Sequence, residues 1–399
     1  MMNAILNVVG IAAVLGLMYV LSSNRRAIDK KLVLKALLAQ LIITFICVKF
    51  PAGIFVIEQI SNAVAQVLSY AKDGLTFVFG GLADPSTAPG FIFIVSVLGN
   101  IIFIGALVSV LFYTGVLSFV IKHLGKLINR VIGTSNTESF ICVGNIFLGQ
   151  TESPLLVSKY LMSMTSSEIM MVLISGMGSM SVSILGGYHA LGIPVQHMII
   201  ASVLVPMSAI VIGKILYPET EYQLKTDEVE ITASKASNLV EAVSNGAMDG
   251  MQMIIAIAAS LAAIISMVGL CNGILANVGI TLQEILGWFF YPVAFLMGVG
   301  DQMEFAAQLL GCKMVMNEFI SFEMLGKVIN TLDARTALVL SVSQSGFANI
   351  GSMGVCIGAL GTLCPSRKSD VSRLIVKALI GAFCVSVMNS MFIGLIMCF

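Results

Sequence analysis

Long stretches without a single Asp, Glu, Lys or Arg dominate this chain, at 1–24, 85–121, 169–213, 250–283, 336–366 and 378–399. A bilayer's hydrocarbon core is about 30 Å thick and takes about 20 apolar residues of helix to cross. Every run meets that length. The run at 169–213 is long enough for two crossings, divided by Gly186-Gly187-Tyr188-His189-Ala190-Leu191-Gly192-Ile193-Pro194, because Gly and Pro punctuate helices. Composition agrees: 58% of residues are hydrophobic, 11% are charged and mean hydropathy is +0.99, against about 25% charged in soluble domains. With 21 bases and 21 acids the chain cannot clothe soluble domains in charge, so it is a multi-pass membrane protein and the soluble-enzyme class is excluded. Zero net charge offers no basic stripe for nucleic acid. Eight cysteines are scattered without a CxxC pair, and act as small hydrophobes in apolar runs.

Residues 1–24 lack the basic n-region and small-x-small cleavage site of a signal peptide, so they read as a first span. Residues 32–48 form a second, with Lys35 able to snorkel. Residues 53–72 are amphipathic at helical spacing and predict an interfacial helix; 73–90 is a polar loop, and 85–121 supplies the third span with its entry. The runs at 169–213 give spans four and five, 250–283 span six, 336–366 span seven and 378–399 span eight. The polar stretch 217–247 is a solvent-exposed connection.

Two regions fit no clean span. Residues 139–151 are uncharged only between Glu138 and Glu152, and 285–322 is interrupted by Asp301, Glu304, Lys313 and Glu318. Both suit a helix–turn–helix that enters and leaves on one side, which is tolerated only where backbone is buried in protein or lines a cavity. Three spans lie between them, an odd number, so the hairpins enter from opposite sides. The expected fold is an all-α integral membrane protein with eight transmembrane helices and two opposed re-entrant hairpins in an inverted repeat, the design of secondary transporters. The chain divides into 1–121 (first helices, interfacial helix and third span), 122–216 (first hairpin, spans four and five), 217–284 (polar link and sixth span) and 285–399 (second hairpin, spans seven and eight). The basic clusters Arg25, Arg26, Lys30, Lys31; Lys122, His123, Lys126, Arg130; and Arg367, Lys368, Arg373 then share one side, which the positive-inside rule makes cytoplasmic. Both termini face outside. The 217–247 link, with six acids against Lys225 and Lys235, does not follow the rule.

The chemistry concentrates where the helices break. Gly144-Asn145-Ile146-Phe147-Leu148-Gly149-Gln150-Thr151-Glu152-Ser153-Pro154 packs five polar side chains within nine positions of an apolar segment, where an acid costs about 2.5–3.5 kcal/mol on insertion scales. Its glycines and proline imply a non-helical tip whose free backbone groups suit a polar ligand or a cation; a plain surface loop is the alternative. The second region holds Asn317-Glu318-Phe319, with an ion pair to Lys313 as the alternative use of Glu318. In span seven, Asn349 and Ser352 are three apart and share a helix face, amid Ser341, Ser343, Gln344 and Ser345, which also suit helix–helix packing. Ser181, Ser183 and Gly186-Gly187 repeat the pattern in span four. There is no GxxxxGK[ST] phosphate loop or HExxH motif, so neither a nucleotide-driven pump nor an intramembrane metalloenzyme is expected. A channel is the rival, but two closed hairpins suit alternating access better.

These residues resemble the concentrative nucleoside transporter family. The resemblance rests on Gly144-Asn145 through Gln150-Thr151-Glu152-Ser153-Pro154, Gly187-Tyr188 with Gly192, Asn317-Glu318-Phe319, Gly346-Phe347-Ala348-Asn349 with Ser352, and Pro365-Ser366-Arg367-Lys368-Ser369-Asp370, in family order over nearly the whole chain. It implies a homotrimer in the inner (plasma) membrane, each protomer importing nucleosides by symport with a cation. Gln150, Thr151 and Glu152 would contact the nucleobase side, Glu318, Asn349 and Ser352 the ribose hydroxyls, and Phe347 would pack beside the ligand. Na+ would sit on side-chain oxygens of Asn145 and Ser183 and carbonyls of Leu148 and Ile184, oxygen ligands that suit a hard cation. The alternatives are H+ coupling, or another polar metabolite carried on the same scaffold. The short N-terminus resembles the bacterial form. The chain departs from the family at Ser343-Gln344-Ser345, at Ile350-Gly351 and after Met251-Gln252. These positions flank the base pocket, so purine, pyrimidine and modified-nucleoside selectivity are not legible.

Overall fold

The computed structural model describes residues 2–84, 86–88, 90–221 and 236–399, and its long regular elements are helices. They are α1 (Met2–Leu21), α2 (Lys30–Val48), α3 (Pro51–Phe79), α4 (Asn100–Tyr113), α5 (Val116–Ile132), α6 (Asn136–Gly144), α7 (Ser153–Leu156), α8 (Ser166–Gly178), α9 (Leu185–Ala190), α10 (Val195–Leu216), α11 (Leu239–Leu275), α12 (Leu282–Leu296), α13 (Met303–Val315), α14 (Glu318–Gly326), α15 (Ala334–Gln344), α16 (Ile350–Leu363) and α17 (Lys368–Ile396). By length and composition, eight helices of the described residues can cross a membrane. One of them is the segment 51–83 built on α3, which contains the amphipathic stretch expected at 53–72. Counting the broken pair α15–α16 in its place gives the eight spans expected from the sequence.

Local sequence sets the boundaries. Ser135 with Glu138, Thr165 with Glu168 and Thr281 with Glu284 form capping boxes that start α6, α8 and α12, each satisfying two otherwise free backbone N–H groups. The third span is shorter than the uncharged run 85–121: α4 stops at Tyr113, and Gly115 (φ +79°) redirects the chain into the amphipathic α5. Span seven is not one helix but two, parted by residues 345–349. The second hairpin is also shorter than 285–322. Residues 282–296 form the separate helix α12, ended by Gly298 (φ +64°) and Gly300 (φ +58°), and the hairpin arms are α13 and α14 around Met316 and Asn317. Of the polar link expected at 217–247, residues 222–235 lie outside the described residues, and α11 begins already at Leu239.

Hydrogen bonds fix which elements share an end of the bundle. At one end Ser23 N donates to Leu216 O (3.0 Å), Lys377 Nζ to Leu21 O (3.2 Å) and Arg367 to Met162 O (3.3 Å). There the base of the first hairpin is tied to α10 by a buried ion pair of Lys214 with Glu138, and Lys214 Nζ also donates to Ser167 Oγ at 3.1 Å. At the other end Asn7 Nδ2 donates to Met297 O (2.8 Å), while Arg335 donates to Gly298 O (2.7 Å), Asn7 Oδ1 (2.9 Å) and Gly394 O (3.1 Å). The base of the second hairpin lies there. The two hairpins therefore enter from opposite ends, as the odd number of intervening spans requires. Helices α8, α10 and α17 form the buried centre. Outside it α4 and α11 cross closely: a Cβ on Gly105 would stand 2.6 Å from Gly246 O, and one on Gly250 2.7 Å from Ile101 O.

Candidate functional site

Two helical pairs are each interrupted partway along, α8–α9 at 179–184 and α15–α16 at 345–349, and each break meets a hairpin tip. Phe347 N donates to Ser179 O (3.1 Å) and Val182 N to Phe147 O (2.9 Å), so each break shares its unpaired backbone groups with a neighbouring irregular segment. Gly346 makes this crossing possible. Its φ is +89°, and a Cβ there would lie 2.6 Å from Gly178 O, so a side chain would meet both a strained backbone and a carbonyl. Phe347 lies over the first tip, where a Cβ on Gly149 would come 3.0 Å from its ring.

One chain of hydrogen bonds runs through both tips. Gln150 Nε2 donates to Ser352 Oγ (3.0 Å), and Ser352 N donates to Asn349 Oδ1 (2.9 Å), the N-cap of α16. Asn349 Nδ2 donates to Glu318 Oε2 (3.1 Å), and Tyr188 OH donates to Glu318 Oε1 (3.2 Å). Asn317 caps α14 through Ile320 N (3.1 Å), which fixes Glu318 in its first turn. Residues expected on the base side and on the ribose side of the ligand thus belong to one network. Lys313 does not serve as the partner of Glu318: its Nζ donates to Ser343 O, Ser345 O and Ser386 Oγ.

Glu152 stands apart. It lines a cavity of about 420 Å³ with Leu148, Leu155, Ser183, Asn245 and Asp249, between the first hairpin and the α4–α11 pair, a volume in the range of small-molecule sites. Its buried Oε2 has no hydrogen-bond partner among the described residues. Thr151 is half-buried in the turn beside it.

Of the residues expected to hold the ion, Asn145, Leu148, Ser183 and Ile184 are all buried. Asn145 Nδ2 donates to Ser175 Oγ (2.9 Å), which turns Oδ1 toward Ser179. Ser179 Oγ lies 3.4 Å from Asn145 Oδ1 and 3.5 Å from Leu148 O. Ser183 and Ile184 occupy the 3-10 turn Val182–Ile184 that follows. The group offers amide, carbonyl and hydroxyl oxygens, neutral hard donors that suit a monovalent cation. Three further residues join these hydrogen-bond groups. Ser179 lies in an apolar run with no spacing signal to single it out. Tyr188 is legible only as part of a glycine motif. Cys356, whose Sγ is 3.4 Å from Gln150 Oε1, is four residues after Ser352 and so on its face, a spacing that was legible.

Family models match along the chain: the Na+ dependent nucleoside transporter N-terminus at 9–82, nucleoside recognition (Gate) at 94–194, and the Na+ dependent nucleoside transporter C-terminus at 197–394. The chain is 32% identical to the nucleoside permease NupC of Helicobacter pylori, over 98% of this chain and 99% of that one. It is 31% identical to the human sodium/nucleoside cotransporter 1, over 97% of this chain and 63% of that one. Among solved structures, CNTnw in an inward-facing substrate-bound state superposes with a TM-score of 0.94 at 34% identity, covering 100% of this chain and 99% of that one. An outward-facing CNTnw variant gives 0.95 at 34% identity, covering 99% of each chain. The chain belongs to the concentrative, Na+-dependent nucleoside transporter family.

Proposed function

We propose that in this Na+-coupled nucleoside symporter the chain Gln150–Ser352–Asn349–Glu318–Tyr188 holds the nucleoside, with Glu318, Asn349 and Ser352 on the ribose hydroxyls. Gln150, Thr151 and Glu152 face the base, and Phe347 packs beside it. The observation that carries this reading is that a buried carboxylate and a buried amide, from opposite hairpin and helix, point at one another at 3.1 Å. A vicinal diol both donates and accepts, so it can insert between such a pair and satisfy both. Sodium sits on Asn145, Leu148, Ser183 and Ile184, with Ser179 beside them. Because the ion orders the tip that also carries Gln150, ion and nucleoside each favour the binding of the other.

The positive-inside rule makes the end that carries Arg25, Arg26, Arg367 and Lys368 cytoplasmic, which leaves both termini outside; the inward sodium gradient, through its coupling to nucleoside binding, makes the protein an importer. The cavity beside Glu152 and Ser183 runs between α4 and the start of α11, toward that same end. The protomers assemble as a homotrimer; α11 leaves Ile255, Ile265, Leu270 and Ile274 exposed, an apolar surface for lipid and neighbouring subunits.

Uptake of labelled uridine and adenosine into proteoliposomes under an inward sodium gradient tests the proposal. Accumulation above the outside concentration is expected, with Asn145→Ala needing more sodium for half-maximal uptake. Unchanged sodium dependence in that variant would discard the ion site, and uptake driven only by a proton gradient would discard it too.

A further inference from the structure

Lys313 is fully buried near the end of α13, three residues before the tip residue Met316. Its Nζ donates to Ser343 O (2.9 Å), Ser345 O (2.6 Å) and Ser386 Oγ (2.6 Å), and lies 5.6 Å from the centroid of the Phe383 ring. Three acceptors match the three donors of an ammonium. Two of them are backbone carbonyls at the broken end of α15, where the helix runs out and its last carbonyls carry partial negative charge. Such half-helix ends are where secondary transporters coordinate their cations. Burying an ammonium costs several kcal/mol unless it is well paired, so packing alone would be served by an apolar side chain of the same length.

The first repeat has the matching elements, the tip of its hairpin against the broken end of α8. There the facing groups are the neutral oxygens of Asn145, Ser179 and Leu148. The first break thus presents neutral oxygens, and the second carries its own cation.

We propose that Lys313 is a tethered cation, whose ammonium permanently fills at the second break the position that exchangeable sodium takes at the first. This rests on the sodium site proposed above. Its consequence is that Ser343, Ser345 and the adjoining Asn349 are held in place at any sodium concentration, so only the first tip is ordered by the ion. Lys313 is a positioning residue and touches no substrate.

The test is the sodium dependence of nucleoside uptake by Lys313→Ala in proteoliposomes. The vacated carbonyls should take a second sodium, so the Hill slope should rise from about 1 toward about 2, since the slope is bounded by the number of sites. Lys313→Met, which fills the space without a charge, should not gain the second sodium step. A Lys313→Ala curve with the wild-type slope and midpoint overturns the proposal. A variant that does not transport is decided by thermal unfolding in NaCl against choline chloride: a second, weaker sodium-specific rise in Tm is expected, and its absence overturns the proposal. Lys313→Ser, which adds a hydroxyl ligand, is measured in the same way should the alanine variant not fold. Failure of the first-repeat site would appear separately, as unchanged sodium dependence in Asn145→Ala; the Lys313 comparison stays readable, because both of its arms carry the same first repeat.

Discussion

Replacing Glu318 by Gln removes one charge and leaves the shape of the site nearly intact. The carboxylate now accepts from Tyr188 OH at 3.2 Å and from Asn349 Nδ2 at 3.1 Å. In Glu318→Gln one of those donors meets the new amide N–H2, but the Tyr188 hydroxyl can rotate to accept, so the apo fold loses little. The ligand loses more: a hydrogen bond to a charged group contributes about 1.5–3 kcal/mol against about 0.5–1.5 for a neutral one, and that difference of about 1–1.5 kcal/mol is a drop of about 5- to 10-fold in nucleoside affinity. Direction alone does not identify the ribose as the partner, so the assay is a cycle. Calorimetric Kd values are measured for a ribonucleoside and its 2′- and 3′-deoxy analogues, on wild type and on Glu318→Gln. If Glu318 bonds a ribose hydroxyl, at least one deoxy analogue loses much of its penalty in the variant, because the same bond cannot be removed twice. Equal penalties in both proteins, for both analogues, would refute the ribose assignment even if affinity fell.

Gly346→Ala should destabilise the protein by about 1–2 kcal/mol from the left-handed backbone alone, and by more from the carbonyl of Gly178 2.6 Å from the added Cβ; a lowered Tm with uptake lost is expected, and wild-type values in both would show that the helix crossing tolerates a side chain. Lys214→Met strands the buried Glu138 carboxylate and should cost about 3–5 kcal/mol. Adding Glu138→Gln should recover much of that loss, which thermal unfolding of the single and double variants measures.

The sequence carried the parts of the fold that depend on counting. Runs free of charge are long because helices crossing a bilayer must be, and two tracts too polar to cross suited re-entrant hairpins, with a surface loop as the alternative for the first. Boundaries inside the apolar tracts were less legible. A short separate helix and a re-entrant arm are of similar length and both mostly apolar, so most of α12, residues 285–296, merges with the arm that follows, although Gly298-Val299-Gly300 marks the stop. Site residues near one another in the chain were readable by spacing, as with Asn349 and Ser352. Tyr188 and Glu318 are 130 residues apart, and only tertiary packing brings them together. The direction of Lys313 was illegible for the same reason. A lysine five residues from a glutamate suggests an ion pair, but the tip of the hairpin separates them, and the acceptors that Lys313 meets belong to the end of α15 and to α17.

The placement of these contacts bears on how two ligands share one movement. The first tip is bonded to α16 through Gln150 and Ser352, and α16 is bonded to the second tip through Asn349 and Glu318. The break of α8 is bonded to that of α15 through Ser179 and Phe347. A displacement of either hairpin relative to the broken helices therefore strains buried hydrogen bonds in both repeats, each costing about 1–3 kcal/mol if left unmade. The cavity lies along the seam between the first hairpin and the α4–α11 pair, where α4 and α11 contribute Ile101, Val108, Phe112 and Met253 beside the polar Asn245 and Asp249, opposite Glu152 and Ser183. No hydrogen bond is made across it by the buried Glu152 Oε2 among the described residues, so this seam can slide with smaller loss than the buried polar network can open. Alternating access is thus expected to move hairpins and broken helices together against α4 and α11, which keeps the ion and the nucleoside in one carrier throughout the crossing.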